Sequence, residues 1–148
     1  MNKRFETFTL QIAKISRCIR RIKTDEMKEF HLKTPHVSCI YYLYAKGPMT
    51  AKELSEICDE DKAAVSRSLI YLEKNDYVFC ECKARKRYKE PIMLTEKGKQ
   101  VGELIEGKIN NILRQSALGL SEEELEIFYR GLFVIGDNLQ KICDIYEE

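Results

Sequence analysis

Apolar side chains repeat along the start of the chain in alternating steps of three and four residues, from Phe5 to Ile22. This spacing places a narrow apolar stripe on one side of a helix, as in helices that pair with one another. The end of the chain has the same spacing from Leu125 to Tyr146, and Ser121 with Glu124 forms a capping box for its start. The pattern therefore predicts a long amphipathic helix at each end.

Three shorter helices are predicted in the middle of the chain. Thr34 followed by Pro35 is interpreted as a helix N-cap with proline at the first helical position, and a Lys-Gly-Pro sequence ends this helix at Gly47. Thr50 and Glu53 form a capping box for a short second helix. After a tight turn, the third helix is expected from about residue 61 to residue 74, with three residues facing inward: Val65, Leu69 and Leu72.

A β-hairpin and another long helix follow. Asn75-Asp76 ends the third helix, because both residue types tolerate the left-handed conformation of a helix end. Residues 78–83 alternate as a strand, and residues 91–94 return as a second strand whose proline suits a sheet edge. Thr95 caps a helix that extends to about residue 117. The predicted fold class is mainly α with a small β-hairpin wing, a winged helix-turn-helix head between helical arms.

Positive charge is concentrated at the predicted hairpin tip, CKARKRYK, although the formal net charge of the chain is only +1. The two ends also differ in sign, since residues 1–24 are basic and residues 121–148 are acidic. We expect the terminal helices to pack together, either as a hairpin within one subunit or, as we favour, in an interlocked homodimer. The predicted interface consists of Phe5, Phe8, Ile12, Ile15, Leu125, Phe128, Leu132, Ile135, Leu139 and Ile142.

The second helix of a helix-turn-helix pair enters the major groove of DNA, with its first residues near the base edges. Small residues in the helix at 61–74 allow close approach, and Arg67 can contact a guanine edge or a phosphate. A cationic hairpin tip on its own is typical of a solvated loop, but after a helix-turn-helix it indicates contact with the backbone or the minor groove. The predicted DNA-binding residues are Thr50, Lys62, Ala63, Ser66, Arg67, Ser68, Arg85, Lys86 and Arg87.

Other classes of function find little support in the sequence. The chain has six cysteines and two histidines but no zinc-ligand spacing, so we expect no metal and no cofactor. Two explanations account for the cysteines. They are cytosolic thiols that act as small hydrophobic residues, or one of them is a redox sensor. No catalytic triad or phosphate-binding loop is present, which argues against an enzyme. No apolar run approaches the about 20 residues of a membrane span, and no signal peptide is evident, so we expect a cytoplasmic protein.

The segments AAVSRSLIYLEKNDYV (63–78) and PIMLTEKGK (91–99) resemble the multiple-antibiotic-resistance (MarR-type) regulators, and the resemblance covers nearly the whole chain. It implies a single domain, 1–148, with helical dimerisation arms at 1–30 and 98–148 and a winged-helix DNA-binding head at 34–97. It further implies a homodimer that binds a palindromic operator in double-stranded DNA and acts as a repressor until a small ligand or an oxidant relieves it. A winged helix that only contacts proteins is the alternative.

Particular residues match the MarR-type pattern and others depart from it. Ser66 and Arg67 match the recognition-helix pair of the family, and Arg87 matches its wing arginine. Arg85 stands where an aspartate commonly supports that arginine, and Asp76 stands where a glycine is usual. A small-molecule effector would bind between the arms and the head. Four residues are candidates for contacting it: Arg17, His36, Tyr41 and Tyr42. Tyrosines at helical spacing also occur in protein cores, which is the alternative for the two tyrosines.

Overall fold

The structure is a computed structural model that describes residues 2–58, 60–81 and 89–147. Within these ranges the chain forms helices with one antiparallel pair of strands. The elements are α1 (Asn2–Glu26), a short 3₁₀ helix (Lys28–Phe30), α2 (Thr34–Lys46), α3 (Ala51–Ile57), α4 (Lys62–Lys74), β1 (Val78–Cys80), β2 (Ile92–Leu94), α5 (Glu96–Ser116) and α6 (Glu122–Glu147). The predicted fold class, mainly α with a β-hairpin wing, is confirmed.

The chain divides into two compact units, Met1–Lys108 and Ile109–Glu148. The first unit contains α1 to α4, both strands and the first part of α5. The second contains the rest of α5 and all of α6. The helix-turn-helix and the strands that follow it therefore fold together with α1.

The start of α2 differs from the prediction. Lys33, with extended backbone angles, is the N-cap residue, and its N–H donates to His36 Nδ1 at 3.0 Å. Thr34 lies inside the helix, and its hydroxyl donates to the carbonyl oxygen of Arg20 at 3.1 Å. The prediction of Thr34 as the N-cap is wrong because its side chain binds the backbone of α1 and so ties α2 to that helix.

The core of the first unit forms where α2, α3 and α4 meet. The side chains of Ile40, Leu54 and Leu72 are fully buried there. Met27 and Leu32, which flank the 3₁₀ helix, are almost as inaccessible. Sequence periodicity did not identify these two because they lie outside the regular helices, in a connection that had no predicted structure.

The strands β1 and β2 pair antiparallel, with Val78 opposite Leu94 and Cys80 opposite Ile92. An isolated bridge also joins Met49 to Ile92, so the residue before the α3 cap lies beside the second strand. The described strands are shorter than predicted, since Pro91 precedes β2 and the end of the predicted first strand lies outside the described residues. The sheet is a minimal one that attaches the wing to the helix-turn-helix.

The second unit consists mainly of α6. Gly119, with a φ of 94°, lies in the connection before it. The predicted capping box is confirmed, because the N–H of Glu124 donates to Ser121 Oγ at 3.2 Å while Glu124 Oε2 accepts from the N–H of Ser121 at 2.7 Å. Two such bonds satisfy donors that a helix start otherwise leaves unpaired.

Candidate nucleic-acid interface

Both helices of the helix-turn-helix begin with a side-chain cap. Thr50 Oγ1 accepts from the N–H of Glu53 at 3.1 Å, and Glu53 Oε2 accepts from the N–H of Thr50 at 2.8 Å, which confirms the predicted capping box of α3. Asp61 is the N-cap of α4 and its Oδ1 accepts from the N–H of Ala64 at 2.6 Å. The caps fix where each helix starts, and with that the direction in which the first turn of α4 presents its side chains.

The first two turns of α4 expose a polar face. Four residues are exposed here: Lys62, Ala63, Ser66 and Arg67. Val65, which lies between them in the sequence, is buried on the opposite side of the helix. Spacings of three and four residues bring the exposed residues onto one face of the helix. This face combines two cationic side chains with small residues, and such a surface can approach DNA closely and neutralise phosphates.

Ser68 does not belong to this face. Only 3% of Ser68 is exposed, and its hydroxyl donates to the carbonyl oxygen of Ala64 at 2.8 Å. Three residues after Val65 and four before Leu72, it shares their buried side. The prediction that Ser68 faces away from the core to contact DNA is therefore wrong.

The C-terminal end of α4 is held by the start of α5. Asp76 adopts a left-handed conformation with a φ of 60°, which the sequence predicted for the Asn75-Asp76 pair. The hydroxyl of Thr95 donates to the carbonyl oxygen of Asp76, and Lys97 Nζ donates to that of Asn75 at 2.8 Å. Thr95 Oγ1 also accepts from the N–H of Gly98 at 3.0 Å, as expected of a cap. These bonds limit how far α4 can move relative to α5.

An ion pair ties the turn before α4 to the first helix. Arg20 Nη1 lies 3.0 Å from Glu60 Oε1, and the Glu60 side chain is only 11% exposed. Glu60 immediately precedes the cap residue Asp61. The position of α1 is thus coupled by a direct contact to the segment from which α4 starts.

The wing tip lies outside the described residues. The predicted DNA contacts Arg85, Lys86 and Arg87 therefore stay predictions, as does the suggestion that Arg85 replaces a supporting aspartate. Lys89, at the C-terminal end of the cationic run, is exposed.

A cavity of about 510 Å³ opens between α3, α4 and the strands. Its lining combines apolar side chains such as Leu69 and Ile70 with three lysines. Two of these lysines, Lys52 and Lys89, were not among the predicted site residues, although Lys52 lies only two positions after the α3 cap residue Thr50, which was itself a predicted DNA contact. The lining residues include Ala51, Lys52, Ser55, Lys62, Ser66, Lys89 and Ile92.

The candidate effector-binding residues make separate contacts. The ring of His36 stacks on that of Tyr71, with centroids 4.3 Å apart and planes 6° apart. Burial, and then the positive charge of Lys33, lower the pKa of His36. Tyr41 and Tyr42 meet edge to face at 5.2 Å, and Arg17 is exposed on α1. His36 serves the packing of α2 on α4, and the effector site remains a prediction.

The apolar seams are exposed within their own units. In the first unit Phe5 is 72% exposed, and the remaining seam residues of its half of the predicted interface are exposed as well: Phe8, Ile12 and Ile15. In the second unit Leu125 is partly buried, and the others are exposed: Phe128, Leu132, Ile135, Leu139 and Ile142. So much exposed apolar surface on two long helices is typical of an interface with another chain.

Two kinds of feature are absent from the part of the chain that the structure describes. No described helix is both long and apolar enough to cross a membrane. Nor do the histidine, cysteine, aspartate and glutamate side chains in the described ranges form a group that could hold a metal ion.

The geometry defines a winged helix-turn-helix with long helical flanks, and many solved structures share it. A MarR-family transcriptional regulator from Listeria monocytogenes, complexed with 26mer DNA, is similar with a TM-score of 0.79 and 23% identity over 88% of this chain and 87% of that one. A MarR transcriptional regulator from Methanosarcina mazei Go1 reaches a TM-score of 0.81 at 18% identity, covering 93% and 92% of the two chains. Staphylococcus aureus MarR, in complex with salicylate and kanamycin, reaches 0.80 at 16% identity, covering 92% of each chain.

The protein thus has the MarR-type winged-helix fold, and the resemblance noted in the sequence is confirmed at the level of the fold. No protein-family model and no curated protein matches the sequence.

Proposed function

We propose that the protein is a sequence-specific DNA-binding transcriptional regulator that binds a palindromic operator as a homodimer. The observation that carries the proposal is the exposed face of Lys62, Ser66 and Arg67 at the capped start of α4, in a fold whose solved examples include complexes with DNA. Arg67 would read a base edge or bind a phosphate, and the cationic wing would follow the neighbouring backbone.

The exposed apolar seams on α1 and α6 support homodimer formation. A single winged helix reads too few base pairs for selectivity in a genome, whereas a two-fold pair reads two half-sites separated by about one turn of DNA or a multiple of it. In this proposal the seams set the distance between the two α4 helices. The protein acts as a repressor, and a small ligand or an oxidant that shifts α1 releases the DNA because the heads then no longer match the half-sites.

The proposal is tested with DNA fragments that the purified protein retains from fragmented genomic DNA. Arg67→Ala should weaken binding to the retained fragment by about 1–3 kcal/mol and reduce discrimination against scrambled DNA. Lys99→Ala, which removes an exposed cation from α5, is the matched control and should bind like the parent. Equal affinities of the two variants would contradict the role given to α4.

The wing is tested separately by its salt dependence. Neutralising Arg85, Lys86 and Arg87 together should weaken binding and make its logarithmic salt dependence shallower by about one unit for each phosphate that the wing no longer neutralises. Unchanged binding by this triple variant would show that the cationic tip does not contact DNA. If the parent protein retains no DNA at all, the alternative of a protein-interaction module is favoured.

A further inference from the structure

Arg20 of α1 contacts two other parts of the head, the start of α2 and the turn before α4. Its carbonyl oxygen accepts from the hydroxyls of Thr24 and Thr34, each at 3.1 Å, and Thr34 is the first residue of α2. Its guanidinium lies 3.0 Å from the carboxylate of Glu60 in the turn before α4. The backbone of Arg20 is thus tied to α2, and its side chain is tied to the segment from which α4 starts.

The surroundings of Glu60 distinguish this ion pair from one on an open surface. An ion pair between two well-exposed side chains contributes little, because water screens both charges. The side chain of Glu60 is only 11% exposed, whereas that of Arg20 is 49% exposed. Loss of the guanidinium would leave a poorly hydrated carboxylate without this partner, which is costly. The carboxylate would then gain hydration only by an outward movement of the turn.

Such a movement changes the start of α4 directly. Glu60 is joined to the cap residue Asp61, whose Oδ1 accepts from the N–H of Ala64 at 2.6 Å. The other end of α4 is held separately, by the bonds from Thr95 and Lys97 to the backbone that follows the helix. Because each end has its own anchor, a shift at the first end alone tilts the exposed face of α4.

We propose that Arg20 and Glu60 are positioning residues, whose ion pair sets the direction in which α4 presents Ser66 and Arg67 and so controls affinity and sequence discrimination without touching DNA. The inference rests on the proposed function. Charge alone predicts the opposite effect for one variant, since Glu60→Gln removes a negative charge from the head and would strengthen binding to phosphates. Positioning predicts that this variant binds its specific DNA more weakly.

The sign of the Glu60→Gln effect is measured on the fragment that the purified protein retains and on scrambled DNA of equal length. Affinity for the retained fragment should fall roughly tenfold, while affinity for scrambled DNA should stay the same or rise. Asp25→Asn is the matched control, because it removes one carboxylate from an exposed ion pair with Arg21 on α1, and it should keep the discrimination of the parent. Equal or tighter binding of Glu60→Gln to the retained fragment would overturn the proposal.

Exchange of the two charges separates the ion pair from either charge alone. Arg20→Glu should lower the discrimination. The double variant Arg20→Glu with Glu60→Arg has the net charge of the parent, and its discrimination should return to within about threefold of the parent value. No recovery in a double variant with the circular dichroism spectrum and Tm of the parent would contradict the positioning role. If the double variant does not fold, Glu60→Gln decides.

The position of α4 is also measured without DNA, by hydrogen exchange and mass spectrometry of the intact protein. Exchange at the start of α4 should be faster in Glu60→Gln than in the parent, and exchange in α5 should be unchanged. Unchanged exchange at the start of α4 would refute the inference. If the parent protein retains no DNA, the proposed function fails, and hydrogen exchange still decides whether the ion pair holds α4 in place.

Discussion

Single residues decide which side of α4 can face DNA. Ser66 and Ser68 are the same residue type two positions apart, yet Ser66 is exposed and Ser68 is buried against the backbone of α4 itself. The advance of about 100° per residue that follows from 3.6 residues per turn puts Ser68 with Val65 and Leu72. Serine is small enough for either environment, so the residue type alone does not indicate whether the side chain is exposed or buried. The position on the helix decides whether each serine is exposed, and the prediction of Ser68 as an exposed residue disregarded that position.

His36 is the residue whose charge matters most for the start of α2. Its Nδ1 must be unprotonated to accept from the N–H of Lys33, and its ring packs on Tyr71. The pKa of His36 is lowered from 6.5, first by burial. As the pH falls below that value, the unfolded chain binds a proton at His36 before the folded chain does. The folded state is therefore disfavoured at acidic pH.

We expect the free energy of unfolding to fall as the pH is lowered from 7 towards 5, and His36→Gln to remove most of this dependence. Urea denaturation across the pH range measures it. His31→Asn is the control, because His31 is exposed and has a φ of 57°, which asparagine tolerates. If the pH dependence persisted in His36→Gln and disappeared in His31→Asn, the assignment to His36 would be wrong.

At the scale of elements, the local signals in the sequence were strong where a side chain bonds to nearby backbone. The capping boxes at Thr50 and Ser121 and the left-handed Asp76 all follow from such short-range chemistry. Contacts between elements had no comparable signal. The bond from Thr34 to α1 and the ion pair between Arg20 and Glu60 depend on how the elements are placed in space, which spacing along one helix does not determine.

The start of α5 packs so closely on the segment before β1 that glycine is required. A Cβ atom on Gly98 would lie 2.1 Å from the carbonyl oxygen of Tyr77, a backbone atom with little freedom to move. The aromatic ring of Tyr77 in turn carries Lys97 Nζ 4.2 Å above its centroid. This contact joins α5 to the wing at its base.

Gly98→Ala should therefore destabilise the protein by about 2–4 kcal/mol, as expected for overpacking against rigid neighbours. Gly107→Ala is the matched control in the same helix, since its added Cβ would meet no atom within 4 Å. It should stabilise the protein by about 0.5–1 kcal/mol, because alanine restricts the unfolded chain and favours the helix. Urea denaturation compares the two, and similar stabilities would contradict the close packing of α5.

At the scale of the whole molecule, the exposed seams are the main feature that one chain leaves unexplained. Leu132 and its seam neighbours on α6 lie on a surface whose exposure would be costly in a monomer. The regular spacing of these residues was clear in the sequence, since a helical stripe needs no tertiary information. The surface that packs against the seam was not clear from the sequence, because a seam of this kind fits an intramolecular helix and a second subunit equally well.

Leu132→Lys should shift a homodimer towards monomers, because each interface would bury an unpaired charge. Gln140→Lys adds the same charge to an exposed position of α6 outside the seam and should remain dimeric. Sedimentation equilibrium at several protein concentrations measures both. Monomeric parent protein, or equal masses for the two variants, would contradict the seam as a dimer interface.

The proposed function depends most on two heads of one homodimer binding two half-sites on the same side of the duplex. The most direct test inserts base pairs between the half-sites of a DNA fragment that the protein retains and measures affinity at constant salt. Insertion of about five base pairs, half a turn, should reduce binding to that of a single half-site, because the second head then faces the opposite side of the DNA. Affinity that does not change with the insertion would contradict the account.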